Sequence, residues 1–227
     1  MRHFAAWLHR SSFVPLLTFC VAVTLASGTA HAADENLSLN ARLLTAVRTG
    51  DVPTVERALA QGAVVDSRNR LGETALLVAL KRNDWRMGAR LLEANPDVNQ
   101  AALNGITPLM TAAYAGQAGI VRTLLERGAR VDAEDRIGKT AIIYAAGEGH
   151  TEVVLMLLAH GIDPNTPYRN DLTALMWAAG YGHTDTVKAL LAAGASADRR
   201  DNRGKTAVDI ARETGHADTA QVLSATR

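Results

Sequence analysis

Hydrophobic positions along this chain come in paired short bursts. In "TPLMTAAYAGQAGIVRTLLERGARVD" (107–132) the first burst runs through Leu109, Ala112 and Ala113, and the second through Ile120, Val121, Leu124 and Leu125. The second set falls at i, i+1, i+4 and i+5, the one-faced stripe of a helix buried on one side. Gly116 separates the bursts, so the pattern predicts helix, tight turn, helix. Thr107 stands where its side chain can cap the first helix, and Pro108 takes the first helical position, where a missing N–H costs nothing. Gly128 suits a left-handed cap on the second helix, and Asn95 takes the equivalent place one unit earlier. "RVDAEDRIG" then leads out as an extended turn to Gly138.

The whole order repeats. Thr74, Thr107, Thr140, Thr173 and Thr206 open related stretches spaced 33 residues apart, and "ARLLTAVRTGD" from Ala41 keeps the phase without the threonine. The second halves recur as "VERALAQGAVVD", "VRTLLERGARVD" and "VKALLAAGASAD". Ala112-Ala113, Ala145-Ala146 and Ala178-Ala179 put small residues in successive first helices, which lets neighbours approach to the low end of about 8–10 Å between axes. A single helix pair cannot bury its apolar face, but stacked pairs can. The expected fold is all-α, a solenoid of six units near 38–71, 72–104, 105–137, 138–170, 171–203 and 204–227, with the outer two as caps.

The threonine-led "TPLM" at 107–110, "AAGEGH" at 145–150 and "LLERGARVDA" at 124–133 resemble ankyrin repeats, and the period agrees. The resemblance covers about residues 38–227. It departs in two respects. The family's proline survives only as Pro108, and its histidine is replaced by Leu77, Met110, Ile143 and Met176, which turns that position into apolar packing. In the last unit Asp209 stands there, a polar choice expected to face solvent as a cap.

Composition adds a folded body and a separate leader. Of the 227 residues, 48% are hydrophobic but only 4% aromatic, which favours packed helices over a β-sandwich. Arg2 and Arg10 precede an apolar run from Phe13 to Ala26, and Ala30-His31-Ala32 follows. That order predicts a secretory signal over 1–32, cut after Ala32, with a short leader at 33–37. The alternative, a retained anchor, is disfavoured because a span needs about 20 apolar residues and Pro15 interrupts this shorter run. The sole cysteine, Cys20, lies in the signal, so the mature chain has no thiol for disulfide, metal or nucleophile. Loss of Arg2 and Arg10 leaves 22 bases against 23 acids, which removes support for bulk nucleic-acid binding.

Catalytic motifs are weak. "GEGH" and "GYGH" lack the Gly-Lys-Ser/Thr ending of a phosphate loop, and neither Gly-x-Ser-x-Gly nor His-Glu-x-x-His occurs. Gly149-His150, Gly182-His183 and Gly215-His216 lie one unit apart, too far for three nitrogens to share one zinc. They are expected to be turn devices, with the histidine bonding near the next helix start. Trp85 and Trp177 are expected in the core or on the convex side. No enzyme activity, cofactor or metal is expected.

What remains is surface. The resemblance implies that a partner meets the projecting turns and the exposed side of the first helices. By register those positions are Arg68, Arg70, Leu71, Lys81 and Arg82; Leu103, Asn104, Ile106 and Tyr114; Arg136, Ile137 and Lys139; Tyr168, Arg169, Leu172 and Tyr181; and Arg200, Arg203 and Lys205. Arginines interleaved with Ile, Leu and Tyr match interface composition. The expectation is a monomeric periplasmic module that binds another protein through an acidic and partly apolar segment. Two other roles stay open: an inhibitor or chaperone-like factor for an envelope enzyme and, more remotely, a metal-dependent hydrolase.

Overall fold

In a computed structural model, residues 38–226 are described, so the expected signal and leader lie outside them. Within these residues the chain forms twelve α-helices and no strand. The first unit holds α1 (38–49) and α2 (Val52–Ala60). The next units pair α3 (Ala75–Lys81) with α4 (Trp85–Glu93) and α5 (Pro108–Tyr114) with α6 (Ala118–Glu126). Then follow α7 (Ala141–Gly147) with α8 (Thr151–Ala159), α9 (Ala174–Gly180) with α10 (Thr184–Ala192), and α11 (Ala207–Glu213) with α12 (Ala217–Ala225). The six expected units are all present, with no threonine in the first.

Each first helix is only seven residues in these five threonine-led units, too short to persist alone in water. Its start is held by the threonine. Thr107 accepts a hydrogen bond from the Met110 amide at 3.2 Å, and Thr74 and Thr173 do the same for Leu77 and Met176. Thr140 opens α7 without such a bond. Asp209 departs from its expected role as a solvent-facing residue. It is half-buried, and its carboxylate accepts from the Thr206 amide at 3.0 Å and hydroxyl at 2.7 Å, closing a reciprocal capping box.

Stacking supplies the rest. First helices α3, α5, α7, α9 and α11 pack in one row and second helices α4, α6, α8, α10 and α12 in another. Ala112, Ala113, Ala145, Ala146, Ala178 and Ala179 are completely buried at the contacts of the first row. Ile120, Val121, Leu124 and Leu125 all face the core from α6, and Leu77, Met110, Ile143 and Met176 are buried where the family carries histidine.

Polar stitches then set the register. The side chain of Asn99 donates to the Gly128 carbonyl at 3.0 Å and accepts from the Arg130 amide at 2.8 Å, and Asn165 repeats this with Gly194 and Ser196. The Gly-His corners work between units, which corrects the expected bond near the following helix. His150 Nε2 bonds the Tyr114 carbonyl at 2.9 Å, and His183 Nε2 bonds the Gly147 carbonyl at 2.8 Å, each at the end of the preceding first helix. The imidazole therefore sits over the preceding glycine. At Gly149 (φ +76) a Cβ would come within 2.5 Å of the His183 ring, whereas at Gly161 (φ +95) it would meet open space.

Both positions carry the left-handed backbone cost, but only one adds overpacking. Gly149→Ala should destabilise the fold by about 1–3 kcal/mol more than Gly161→Ala in urea unfolding. Equal losses would show that the histidine ring moves aside freely.

Candidate functional site

The turns between units project as loops that we call fingers, and three of the five before α3 to α11 are braced at the base by an Asn or Asp side chain. In the finger before α7, the Asp135 carboxylate accepts from the Ile137 and Lys139 amides at 2.9 Å each and from the Tyr144 hydroxyl at 2.6 Å. This buried side chain ties the finger to the helix behind it, and burial together with the Asp135 contact pushes the Tyr144 phenol well above its ordinary range. Asp201 braces the last finger by accepting from Arg203 and Lys205 amides at 2.9 Å, and Asn69 does so for Leu71 and Glu73. Ala102 and Tyr168 occupy this position in the other two fingers.

The finger before α9 is different. Gly72, Gly105, Gly138 and Gly204 supply positive φ elsewhere, but here Asn170 (φ 64) and Asp171 (φ 58) do so in succession. A non-glycine residue in that region costs about 1–2 kcal/mol. Finger tips are joined in part by backbone bonds. Leu103 donates to the Leu71 carbonyl, Arg136 to that of Asn104 and Asn202 to that of Asn170, at 2.9–3.0 Å.

Two clefts lie between the fingers and the first helices. The first, about 420 Å³, is lined by Lys81, Asn104, Ile106, Met110, Tyr114 and Tyr144 among others. The second, about 220 Å³, is lined by Ile137, Lys139, Ile143, Tyr168, Arg169, Leu172 and Trp177 with Gly138 and Asn170. Tyr144 forms a wall of the first and packs edge-on against Tyr114, with centroids 6.0 Å apart. Lys139 Nζ stands 4.3 Å from the Trp177 ring centre and 5.4 Å from that of Tyr144, within cation–π range. Tyr181 stacks on Trp177 at 6.0 Å.

Nine expected site residues thus line the clefts: Lys81, Asn104, Ile106, Tyr114, Ile137, Lys139, Tyr168, Arg169 and Leu172. Leu71, Leu103 and Tyr181 have more than half their surface exposed, and Arg70, Arg82 and Arg136 are exposed and make no ion pair among the described residues. Five other basic residues of the expected face are engaged within the protein. Arg68 donates to Gln100, Arg200 to the Gly204 carbonyl at 2.7 Å, and Arg203 to Asp201 at 2.7 Å. Lys81 pairs with Glu73 at 2.7 Å and Lys205 with Glu213 at 2.5 Å. In the last finger Arg203 and Lys205 are therefore paired with carboxylates, while Arg200 bonds a carbonyl and keeps its charge.

Trp177 is the main correction. It is half-buried on the groove side of α9, lining the second cleft, while Trp85 packs against the core from α4 as expected. Tyr144 was absent from the register-derived positions although it holds the same place in its unit as Trp177. The fourth residue after each threonine is Val78, Thr111, Tyr144, Trp177 and Ile210, and that aromatic pair was the available signal.

Two family models match: ankyrin repeats in three copies over 43–135 and 84–168, and ankyrin repeats in many copies over 157–211. The chain belongs to the ankyrin-repeat family. No curated protein is significantly similar to it. Ankyrin repeats are generally non-catalytic modules for protein–protein interaction. Among the described residues no three His, Cys, Asp or Glu side chains converge to hold a metal, and no helix is long and apolar enough to cross a membrane.

The brace carboxylates give this ankyrin protein an acid-sensitive limb. Burial raises the Glu73 carboxyl, but hydrogen bonds from Lys81 and Asn69 outweigh it and hold the group below 4.5. Burial opposes, and the Lys205 and Arg203 contacts hold, Asp201 below 3.8. Both stabilise the folded state above their unfolded values, and that contribution is lost as pH falls through the lower folded values. The melting midpoint should therefore fall on acidification from about pH 5 to 3. Glu73→Gln with Asp201→Asn should melt lower at pH 7 and fall less steeply, as read by circular dichroism.

Proposed function

We propose that this ankyrin protein is a non-catalytic interaction module of a bacterial periplasm that displays the groove between its fingers and first helices to a partner protein. The observation that carries the reading is the braced row of aromatic and apolar side chains along the groove: Tyr114, Tyr144 and Trp177 with Ile106, Ile137 and Leu172. Aromatic side chains in fixed positions are characteristic binding anchors. Braced finger bases limit the ordering entropy lost on association. Unpaired Arg70, Arg82 and Arg136 around an apolar floor favour a partner segment that is acidic and partly apolar, met by a single copy of the chain.

Cross-linking in the native envelope and recovery of the bound protein test this reading. Tyr114 and Ile137 are 53% and 52% exposed, so Tyr114→Ala with Ile137→Ala should keep the fold. Partner recovery should drop at least about tenfold, the loss expected for removing a contact worth over 1 kcal/mol. Leu155→Ala, on α8 and 45% exposed, should leave recovery unchanged. Equal recovery from both variants would refute the groove.

The compartment rests on the layout of residues 1–32 alone. Protein recovered from the envelope should begin at Ala33 by N-terminal sequencing. An intact Met1 would remove the periplasmic assignment.

A further inference from the structure

We propose that the groove reads an extended peptide segment at two points about three residues apart: a carboxylate beside Lys139 and Arg169, and a large apolar side chain in the cleft under Tyr114 and Tyr144. The proposal rests on the interaction-module reading and specifies the ligand of that same groove.

The second cleft is an unneutralised cationic slot. Lys139 and Arg169 are the only charged residues lining it, and neither has an ion-pair partner among the described residues. Arg169 makes one long hydrogen bond, 3.4 Å to the Ile137 carbonyl. Lys139 is held in place by the faces of Trp177 and Tyr144, at 4.3 and 5.4 Å. Aromatic faces orient an ammonium but leave its net charge for a ligand. The walls, Ile143, Leu172 and Trp177, lower the local dielectric, so a carboxylate entering here gains more than it would on an open surface. Two acids of the finger before α7 stand close by without lining the slot: Asp135, whose carboxylate is taken by the Ile137 and Lys139 amides and the Tyr144 hydroxyl, and Glu134, whose Oε2 lies 3.9 Å from the Cβ position of Gly138.

The first cleft has the opposite character. Its one charged residue, Lys81, is neutralised by Glu73 at 2.7 Å. Ile106, Met110, Tyr114 and Tyr144 then leave an apolar space nearly twice the size of the other. The two chemistries demand two different side chains on one ligand.

Spacing selects the ligand's conformation. The clefts lie in successive units, whose helices are about 8–10 Å apart. An extended chain rises about 3.3 Å per residue and covers that in about three. A helix rises 1.5 Å per residue, needs about six or seven, and is 10–12 Å across, too broad for slots of this size.

The test selects a displayed random 12-residue peptide library on the purified full chain, then measures the best enriched peptide by fluorescence anisotropy. Enriched sequences should carry Asp or Glu about three positions from a large apolar residue. Lys139→Gln, Arg169→Gln and the peptide's own acid-to-amide change should each weaken binding about tenfold. Lys139→Gln combined with the peptide change should cost little more than either alone, and Lys139→Arg should retain most affinity. Unchanged melting curves confirm that the variants fold. Enrichment without an acid, a spacing of six or seven, no enrichment, or affinity indifferent to Lys139→Gln would each overturn the proposal. If the envelope partner is lost with the Tyr114 and Ile137 changes but not with Lys139→Gln and Arg169→Gln, this inference falls while the interaction-module reading stands. If neither pair of changes matters, both fall.

Discussion

The structure depends on the fact that no single unit can bury its own apolar face. Seven-residue helices such as α5 and α7 gain stability only when the alanine pairs of one meet those of the next. Close approach is possible because Ala112-Ala113 and their equivalents present no side chain beyond Cβ. Once backbones are that close, polar groups must match across the same interval. The Asn99 and Asn165 amides, and the His150 and His183 rings, satisfy the carbonyls and amides that stacking would otherwise leave unpaired.

The same periodicity builds the groove. Because units add by a nearly constant step, any residue type placed at one register position becomes a row. Aromatic residues at the fourth position after Thr140 and Thr173 therefore stand side by side, with Lys139 between them. Rigidity is imported from the brace carboxylates. The Asp135–Tyr144 hydrogen bond makes the finger and the first helix one body, so finger geometry is set by the packed core rather than by the loop. The finger at Tyr168 lacks a brace carboxylate, and its turn is made by Asn170 and Asp171 in the left-handed region, beside the cationic slot.

Much of this was legible in the sequence. The threonine period located five units and its phase the first, the glycines and Asn95 located the turns, and the burial of Ile120, Val121, Leu124 and Leu125 followed from helical spacing. The groove was legible in outline, since the family resemblance carried over by register placed Tyr114, Lys139, Arg169 and Leu172 on its lining. Register could not report how charges pair. Arg203 and Arg136 read alike in sequence, yet Arg203 binds the Asp201 of its own finger and Arg136 binds no carboxylate among the described residues. Nor could it report that Trp177 faces the groove, which depends on which rotamer the neighbouring unit leaves open; the bend of Asp209 back to Thr206 is by contrast a local Thr-x-x-Asp capping box.

The sequence by itself determined the repeat, the helix boundaries and the residue that lands at each position of each unit, because these follow from local chemistry acting at a fixed period. Tertiary structure decided which of those residues are available to a partner. Availability is a balance struck both within and between units: Glu73 claims Lys81 in its own unit, Tyr144 and the next unit's Trp177 claim one face of Lys139 but not its charge, and a histidine from the next unit claims the space above Gly116, Gly149 and Gly182. The contacts of Lys139 with Trp177 and of the histidines with the corner glycines span tens of residues of chain, and only stacking brings them together.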